Sequence, residues 1–133
     1  MSALTIDQLR KDISDQKIDT VVIAMTDMQG RLVGKRLDAN YFLSDVLKHG
    51  TEGCNYLLAV DVDMNTVPGY EMSSWDKGYS DLAMLPDLNT LRYIPWQDGA
   101  ALLLADVAWL DHTDVVASPR QILKKQIKAL ADA

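Results

Sequence analysis

The chain has 133 residues, 48% of them hydrophobic, and its 13 Lys and Arg against 19 Asp and Glu give a net charge of −6. A chain of this length buries about two thirds of the surface that its unfolded form exposes, so we expect one core. Its basic residues are scattered, apart from Lys124, Lys125 and Lys128. Binding to nucleic acid needs a basic face, so the composition argues against a nucleic-acid-binding protein.

The cysteine content and the distribution of apolar residues bear on where in the cell the protein is expected. The chain has 1 cysteine, Cys54, which excludes an internal disulfide and a thiolate zinc cluster. Charged and apolar residues alternate over the first dozen positions, without the apolar core of a signal peptide, and no apolar run is long enough to span a bilayer. We therefore expect a cytoplasmic protein that does not associate with membranes.

Three segments have the spacing of apolar residues that is typical of helices. The first covers about 5–16 and begins with capping-box spacing at Thr5. The second begins near Phe42 and should stop at Gly50, after two basic residues in its last turn. The third has Ser118 as its expected N-cap, and its apolar stripe consists of Ile122, Leu123, Ile127 and Leu130.

The remaining regular segments are predicted strands. The β-branched segment IDTVVIAMTD (18–27) is followed by a break at Gly30, after which RLVGKRL can return as the second arm of a hairpin. Three later strands are expected at NYLLAVDV, NTLRYIPW and AALLLADVAWL, with an irregular region from about Met64 to Asp87. About five strands in a mixed sheet, with two or three helices on one face, predict a single α+β domain.

The irregular region from Met64 to Asp87 is a candidate functional segment. Some two dozen residues without periodicity inside a compact domain are usually functional or disordered, and this segment is too apolar to stay solvated. It could pack on its own sheet. Alternatively, it could pack on another subunit or domain and deliver Asp61 or Asp63 to a site there.

Asp61 and Asp63 stand at the end of a predicted buried strand. Strand alternation puts the two on one face, so one could be solvated while the other caps the following turn. The functional alternative is a carboxylate that holds a cation or takes a proton from an attacking amine. The residues alone leave both interpretations open.

Five motifs in order resemble the amino-terminal domain of the glutamine synthetase family: TDMQGRLVGKRL, DMNTVPGY, YSDLAMLPDLNTLRYIPW, LLLADVAWLD and SPRQIL. The resemblance covers about 18–125, and its most specific part is the block PD-x-x-T-L-R-x-x-P-W. It implies a β-grasp fold. The implied organisation is an N-terminal helix in 1–17, the β-grasp domain in 18–117, and the start of a linker helix toward a missing catalytic domain in 118–133.

The resemblance also implies roles for individual residues. In this family the enzymes form rings of identical subunits, and the amino-terminal domain meets the catalytic domain of the adjacent subunit at the active site. Asp63 would bind the incoming ammonium or amine and assist its deprotonation, with Thr66 beside it. Asp81 would steady the active-site loop of the neighbouring subunit, and Tyr70 and Trp75 would pack at that subunit interface.

Two departures from the family pattern refine these expectations. Met64 and Asn65 stand where ammonia-using relatives have small residues, which resembles the branch that joins glutamate to an organic amine. The implied parent is a ligase that uses ATP, glutamate and Mg (or Mn). Because the chain ends before a catalytic domain, we expect this fragment to bind no such cofactor and to be inactive alone. The alternative is a stand-alone β-grasp regulatory or binding module without catalysis.

Overall fold

The computed structural model describes residues 3–73, 76 and 78–133. Within these ranges, five strands form one sheet: β1 (Thr20–Thr26), β2 (Leu32–Asp38), β3 (Thr51–Cys54), β4 (Asp81–Tyr93) and β5 (Ala100–Ala108). The spatial order is β2-β1-β5-β4-β3. The central pair, β1 and β5, is parallel, and the other pairs are antiparallel. The predicted α+β class with a mixed sheet is therefore confirmed.

The predicted hairpin is formed by β1 and β2, which pair in register from Thr20 opposite Asp38 to Thr26 opposite Leu32. Val, Ile and Thr fill much of β1, as expected for β-branched side chains on a pleated surface. The connecting turn spans 27–31 and contains Gly30 at φ 81°, a backbone conformation that glycine adopts without steric cost.

The first two predicted helices are also present. Helix α1 (Ile6–Ser14) begins where Thr5 Oγ1 accepts a hydrogen bond from the Gln8 backbone N–H at 3.2 Å. The second is one helical run with three parts, α2 (Ala39–Tyr41), a π-helical turn (Phe42–Val46) and α3 (Leu47–His49). It ends at Gly50, which has φ 75°. No helix in the described ranges is long and apolar enough to cross a membrane.

The hydrophobic core lies between these helices and one face of the sheet. Leu9 of α1 and Phe42 of the π-helical turn are completely buried. Alternate strand residues join the same cluster, as strand periodicity requires: Val21, Ile23, Met25, Ala101, Leu103, Ala105 and Val107. The N-terminal helix thus shares a core with the sheet.

The prediction of a strand at NYLLAVDV is wrong. Asn55–Leu58 forms a 3₁₀ turn, and β3 lies just before it. The buried Asn55 side chain decides the local path, because its Nδ2 donates to Met72 O at 2.9 Å and to Ser80 Oγ at 3.2 Å. These partners lie 17 and 25 residues away in sequence, so local periodicity could not reveal them.

The strand predicted at NTLRYIPW begins earlier in the structure than the sequence analysis placed it. Strand β4 starts at Asp81, so the irregular region ends at Ser80 rather than at Asp87. Pro86 lies inside this strand opposite Ala105, and a register irregularity follows between Asp87 and Arg92. Proline within a run argues against a strand, which explains the error.

The C-terminal helix α4 (Pro119–Ala131) forms as predicted, but its apolar stripe is exposed, with Leu130 at 80%. Charged groups attach the helix to the sheet instead. Arg120 donates to Asp106 Oδ1 at 3.0 Å and to Asp87 Oδ2 at 2.6 Å, and Lys124 donates to Asp106 Oδ2. Burial raises the pKa of Asp106, but the hydrogen bonds from Lys124 and Arg120 outweigh it and hold that pKa below its ordinary value.

We predict that Gly34→Ala weakens the hairpin by about 3 kcal/mol in the free energy of unfolding. An alanine Cβ at this position in β2 would lie 2.0 Å from the backbone oxygen of Ile23, which cannot move without breaking the pairing. Urea unfolding of both variants measures the effect. The adjacent exposed residue supplies the control, Lys35→Ala, which should change stability by less than about 0.5 kcal/mol. Equal stabilities for the two variants would contradict the prediction.

Candidate functional site

Asp61 and Asp63 lie in a tight loop, residues 59–67, which we call the acidic loop. The Asp61 backbone N–H donates to Asn65 O at 2.9 Å, and the Val67 N–H donates to Ala59 O at 2.9 Å. These bonds close the loop at its base. It leaves the 3₁₀ turn directly, so the two acids stand on a turn and not at the end of a strand.

Asp61 is the residue that caps the acidic loop. Its Oδ1 accepts the backbone N–H groups of Asp63 and Asn65, both at 2.9 Å, and its Oδ2 accepts the Asn65 side-chain amide at 3.1 Å. The backbone and side-chain hydrogen bonds from Asn65 hold the pKa of Asp61 below its ordinary value. Of the two interpretations left open by the sequence, the capping role belongs to Asp61.

The side chain of Asp63 has surroundings different from those of Asp61. It is exposed, and its side chain accepts no hydrogen bond from the described residues. Its neighbours Val62 and Met64 are also exposed, and Met64 has φ 67°, in the left-handed region. The tip of the loop therefore presents an ionisable carboxylate to solvent between two accessible apolar side chains.

The turn between β1 and β2 contains a buried carboxylate. Asp27 is 1% exposed. It accepts three hydrogen bonds, from the backbone N–H of Gln29 at 3.0 Å, the backbone N–H of Arg31 at 2.8 Å and Arg31 Nε at 2.7 Å. Burial raises the pKa of Asp27, but the hydrogen bonds from Arg31 and Gln29 outweigh that effect and lower it. Asp27 is therefore an ionised anchor for Arg31.

Gln29 and Arg31 bridge this turn to the acidic loop. Gln29 Nε2 donates to Val60 O at 2.9 Å. The two terminal nitrogens of Arg31 donate to Asp61 O at 3.2 Å and to Val62 O at 2.6 Å. Neither residue is predicted as a site residue from the sequence. One sequence feature could have indicated the role of Arg31: an acidic residue, Asp27, stands at the end of a predicted buried strand, and Arg31 follows it four residues later.

The other predicted site residues lie in several places. Thr66 is partly buried within the acidic loop, so it shares an element with Asp63. Tyr70 is exposed beside a surface cavity of about 390 Å³ that Met72 also lines. Asp81 is exposed at the start of β4. Trp75 lies outside the described residues.

No metal site is formed by the part of the chain that the structure describes. It contains no group of three or more His, Cys, Asp and Glu side chains that could hold an ion. Both carboxylate oxygens of Asp61 already accept hydrogen bonds. These residues therefore do not fit a Mg²⁺ or Mn²⁺ ion.

Known proteins resemble this chain over most of its length. No family model matches. The chain is 59% identical over 128 residues to the γ-glutamylethanolamide synthetase GlnA4 of Streptomyces coelicolor, a match covering 96% of this chain and 28% of that protein. It is 38% identical to the glutamate–isopropylamine ligase of a Pseudomonas species, over 91% of this chain and 26% of the ligase. The chain belongs to the glutamine synthetase family.

The match to this family is confined to its amino-terminal part. The chain spans about a quarter of the length of these two curated relatives. A solved complex of GmaS with ADP has the same fold, with a TM-score of 0.69 and 22% identity over 93% of this chain and 25% of that structure. The resemblance stated from the sequence motifs is thereby confirmed.

We predict that the Asp61 carboxyl group titrates below its ordinary value of 3.8, because its ionised form accepts all three hydrogen bonds. A depressed pKa in the folded state means that this stabilisation is complete above pH 3.8 and is lost as the pH falls through the lower, folded pKa. Titration of the carboxyl ¹³C shift measures the midpoint. A midpoint at or above 3.8 would show that Asp61 does not hold the loop.

Proposed function

We propose that this chain is the amino-terminal part of an ATP-dependent ligase that joins an organic amine to the γ-carboxylate of glutamate. The observation that carries this proposal is the 59% identity to a γ-glutamylethanolamide synthetase across 96% of the chain. The second relative, at 38% identity, is named as a glutamate–isopropylamine ligase. Both names specify an amine larger than ammonia as the acceptor of the glutamyl group.

Asp63 is the proposed catalytic residue of this chain, with Thr66 beside it in the acidic loop. An amine is protonated near neutral pH and cannot attack while it is a cation. An exposed carboxylate can bind that cation and then accept its proton, which frees the nitrogen lone pair. The accessibility of Asp63 and the lack of a described partner for its side chain support this role.

The remaining chemistry belongs to the rest of the proposed ligase. ATP phosphorylates the glutamate γ-carboxylate, the free amine attacks the acyl carbon, and phosphate leaves. A Mg²⁺ or Mn²⁺ ion would neutralise phosphate charge, and it would bind outside the residues described here. Holding the amine next to the acyl phosphate is the contribution of this chain, since positioning alone removes a large part of the barrier. This chain on its own is therefore expected to be inactive.

We also propose that the site is completed across a subunit boundary in a ring of identical subunits. Asp63 would face the catalytic domain of the adjacent subunit. Asp81, Tyr70 and Trp75 would lie at that interface. The exposure of Asp81 and Tyr70 is compatible with such a contact. Residues 118–133 would begin the connection to the catalytic domain, which would cover the exposed apolar stripe of α4.

We predict that Asp63→Asn in the full-length protein raises the KM for the amine by about 100-fold, since the amide keeps the size but loses the charge that would bind the cation, and that it also lowers kcat, since the amide cannot accept the proton. The KM values for ATP and glutamate should change less than about twofold. Phosphate release is measured with ethanolamine, isopropylamine, putrescine and ammonia. Asp98→Asn, at another exposed aspartate, is the matched control and should behave as the unmodified enzyme.

The outcomes separate the two functional classes. A loss confined to the amine supports the ligase with Asp63 in the amine site. Equal losses for all three substrates would assign Asp63 a structural role. An unmodified full-length protein that releases no phosphate with any amine would instead favour the stand-alone regulatory or binding module.

A further inference from the structure

We infer that Gln29 and Arg31 are positioning residues for Asp63, holding the backbone of the acidic loop so that the carboxylate is presented at a fixed place. This inference rests on the proposed role of Asp63 in binding the amine. It adds residues from the β1–β2 turn, which lie 31 positions away in sequence from the carbonyl groups of Val60 and Val62 that they bind.

The contacts form a continuous row. Gln29 binds the carbonyl oxygen of Val60, and Arg31 binds those of Asp61 and Val62. The next residue in the chain is Asp63. Three successive carbonyl groups immediately before the proposed catalytic residue are thus held by side chains of one turn, which we call the clamp.

Asp63 depends on the backbone of the acidic loop because its side chain has no partner among the described residues; Asp61 holds that backbone from within the loop, and the clamp holds it from outside. The flanking side chains of Val62 and Met64 are exposed. The position of the carboxylate is therefore set by the backbone. A displacement of about 1 Å at a reacting group can cost about 100-fold in rate, so the clamp is expected to matter for catalysis.

The clamp is itself oriented from the core. Asp27 is buried and binds Arg31 Nε, which fixes the plane of the guanidinium and leaves its two terminal nitrogens facing the acidic loop. Arg31 also donates to Gln29 Oε1 at 3.3 Å, and this contact turns Gln29 Nε2 toward Val60 O. Each group in the series thus orients the next one.

Two conservative substitutions test the clamp in the full-length protein. Gln29→Glu keeps the side-chain length and the acceptor for Arg31, but it cannot donate to Val60 O. Arg31→Lys keeps the charge but loses the planar fork that serves Asp27 and the loop together. Gln29→Glu leaves the side-chain partner of Asp27 in place, so its melting temperature should stay within about 4 °C of the unmodified protein. Arg31→Lys also weakens the pairing of the buried Asp27 carboxylate, so its melting temperature should fall further.

The chain contains a matched control pair outside the clamp. Arg36 donates to Gln97 Oε1 at 2.9 Å, which is also a contact between an arginine and a glutamine. Arg36→Lys and Gln97→Glu make the same chemical changes there without contacting the acidic loop. Both control variants should retain the loop protection and the amine KM of the unmodified protein.

Two readouts are measured on each variant, amide hydrogen exchange in 61–67 and the KM for ethanolamine, ATP and glutamate. Loss of one or two of the hydrogen bonds of the clamp is expected to speed exchange at the Asp61 and Val67 amides by about 10-fold or more. We expect the ethanolamine KM to rise by about 10-fold as well. The KM values for ATP and glutamate should not change. A general loss of folding would instead affect all three substrates.

The results distinguish failure of this inference from failure of the proposed function. Unchanged exchange in the clamp variants overturns the inference whatever the kinetics. Faster exchange without a change in the ethanolamine KM also overturns it, provided that Asp63→Asn does raise that KM. If Asp63→Asn changes neither the KM for ethanolamine nor kcat, the proposed function has failed, and the inference falls with it.

Discussion

The carboxylate of Asp27 is buried at the end of β1, and its need for hydrogen-bond partners constrains both the β1–β2 turn and the acidic loop. A buried charge is costly unless it is paired and hydrogen-bonded, and here two backbone N–H groups and the Arg31 guanidinium meet that requirement. The turn must therefore fold back until Arg31 reaches the carboxylate. Once it does, the free guanidinium nitrogens have a fixed direction, and the acidic loop is bound along that direction.

Two acids separated by one residue have different chemistry because their hydrogen-bond donors differ. Asp61 accepts three hydrogen bonds from its own loop, so its charge is used in closing that loop. The Asp63 side chain receives none from the described residues and stays accessible at the surface. Asp61 thereby stabilises the turn on which Asp63 is exposed. Under the proposed function, this keeps the proton acceptor at a fixed position.

Local patterns predicted the hairpin, the helices and β5, because β-branched content, caps and apolar spacing all agree there. They failed where a distant contact decides. Asn55 takes its partners from residues 17 and 25 positions away, and Pro86 sits in a strand despite its missing N–H. The family motifs indicated Asp63, but its supporting clamp depends on contacts across 31 residues, which no periodicity records.

The clamp contacts the acidic loop only through main-chain carbonyl groups, and this has a consequence for specificity. A carbonyl oxygen is present whatever the side chain, so Val62 could be replaced without removing its hydrogen bond to Arg31. The exposed side chains of Val62 and Met64 are therefore free to shape the surroundings of the proposed amine site while the backbone stays in place. Under the proposed function, one clamp can support acceptors of different size, because the position of the proton acceptor is set by backbone atoms and the surroundings of the amine are set by side chains.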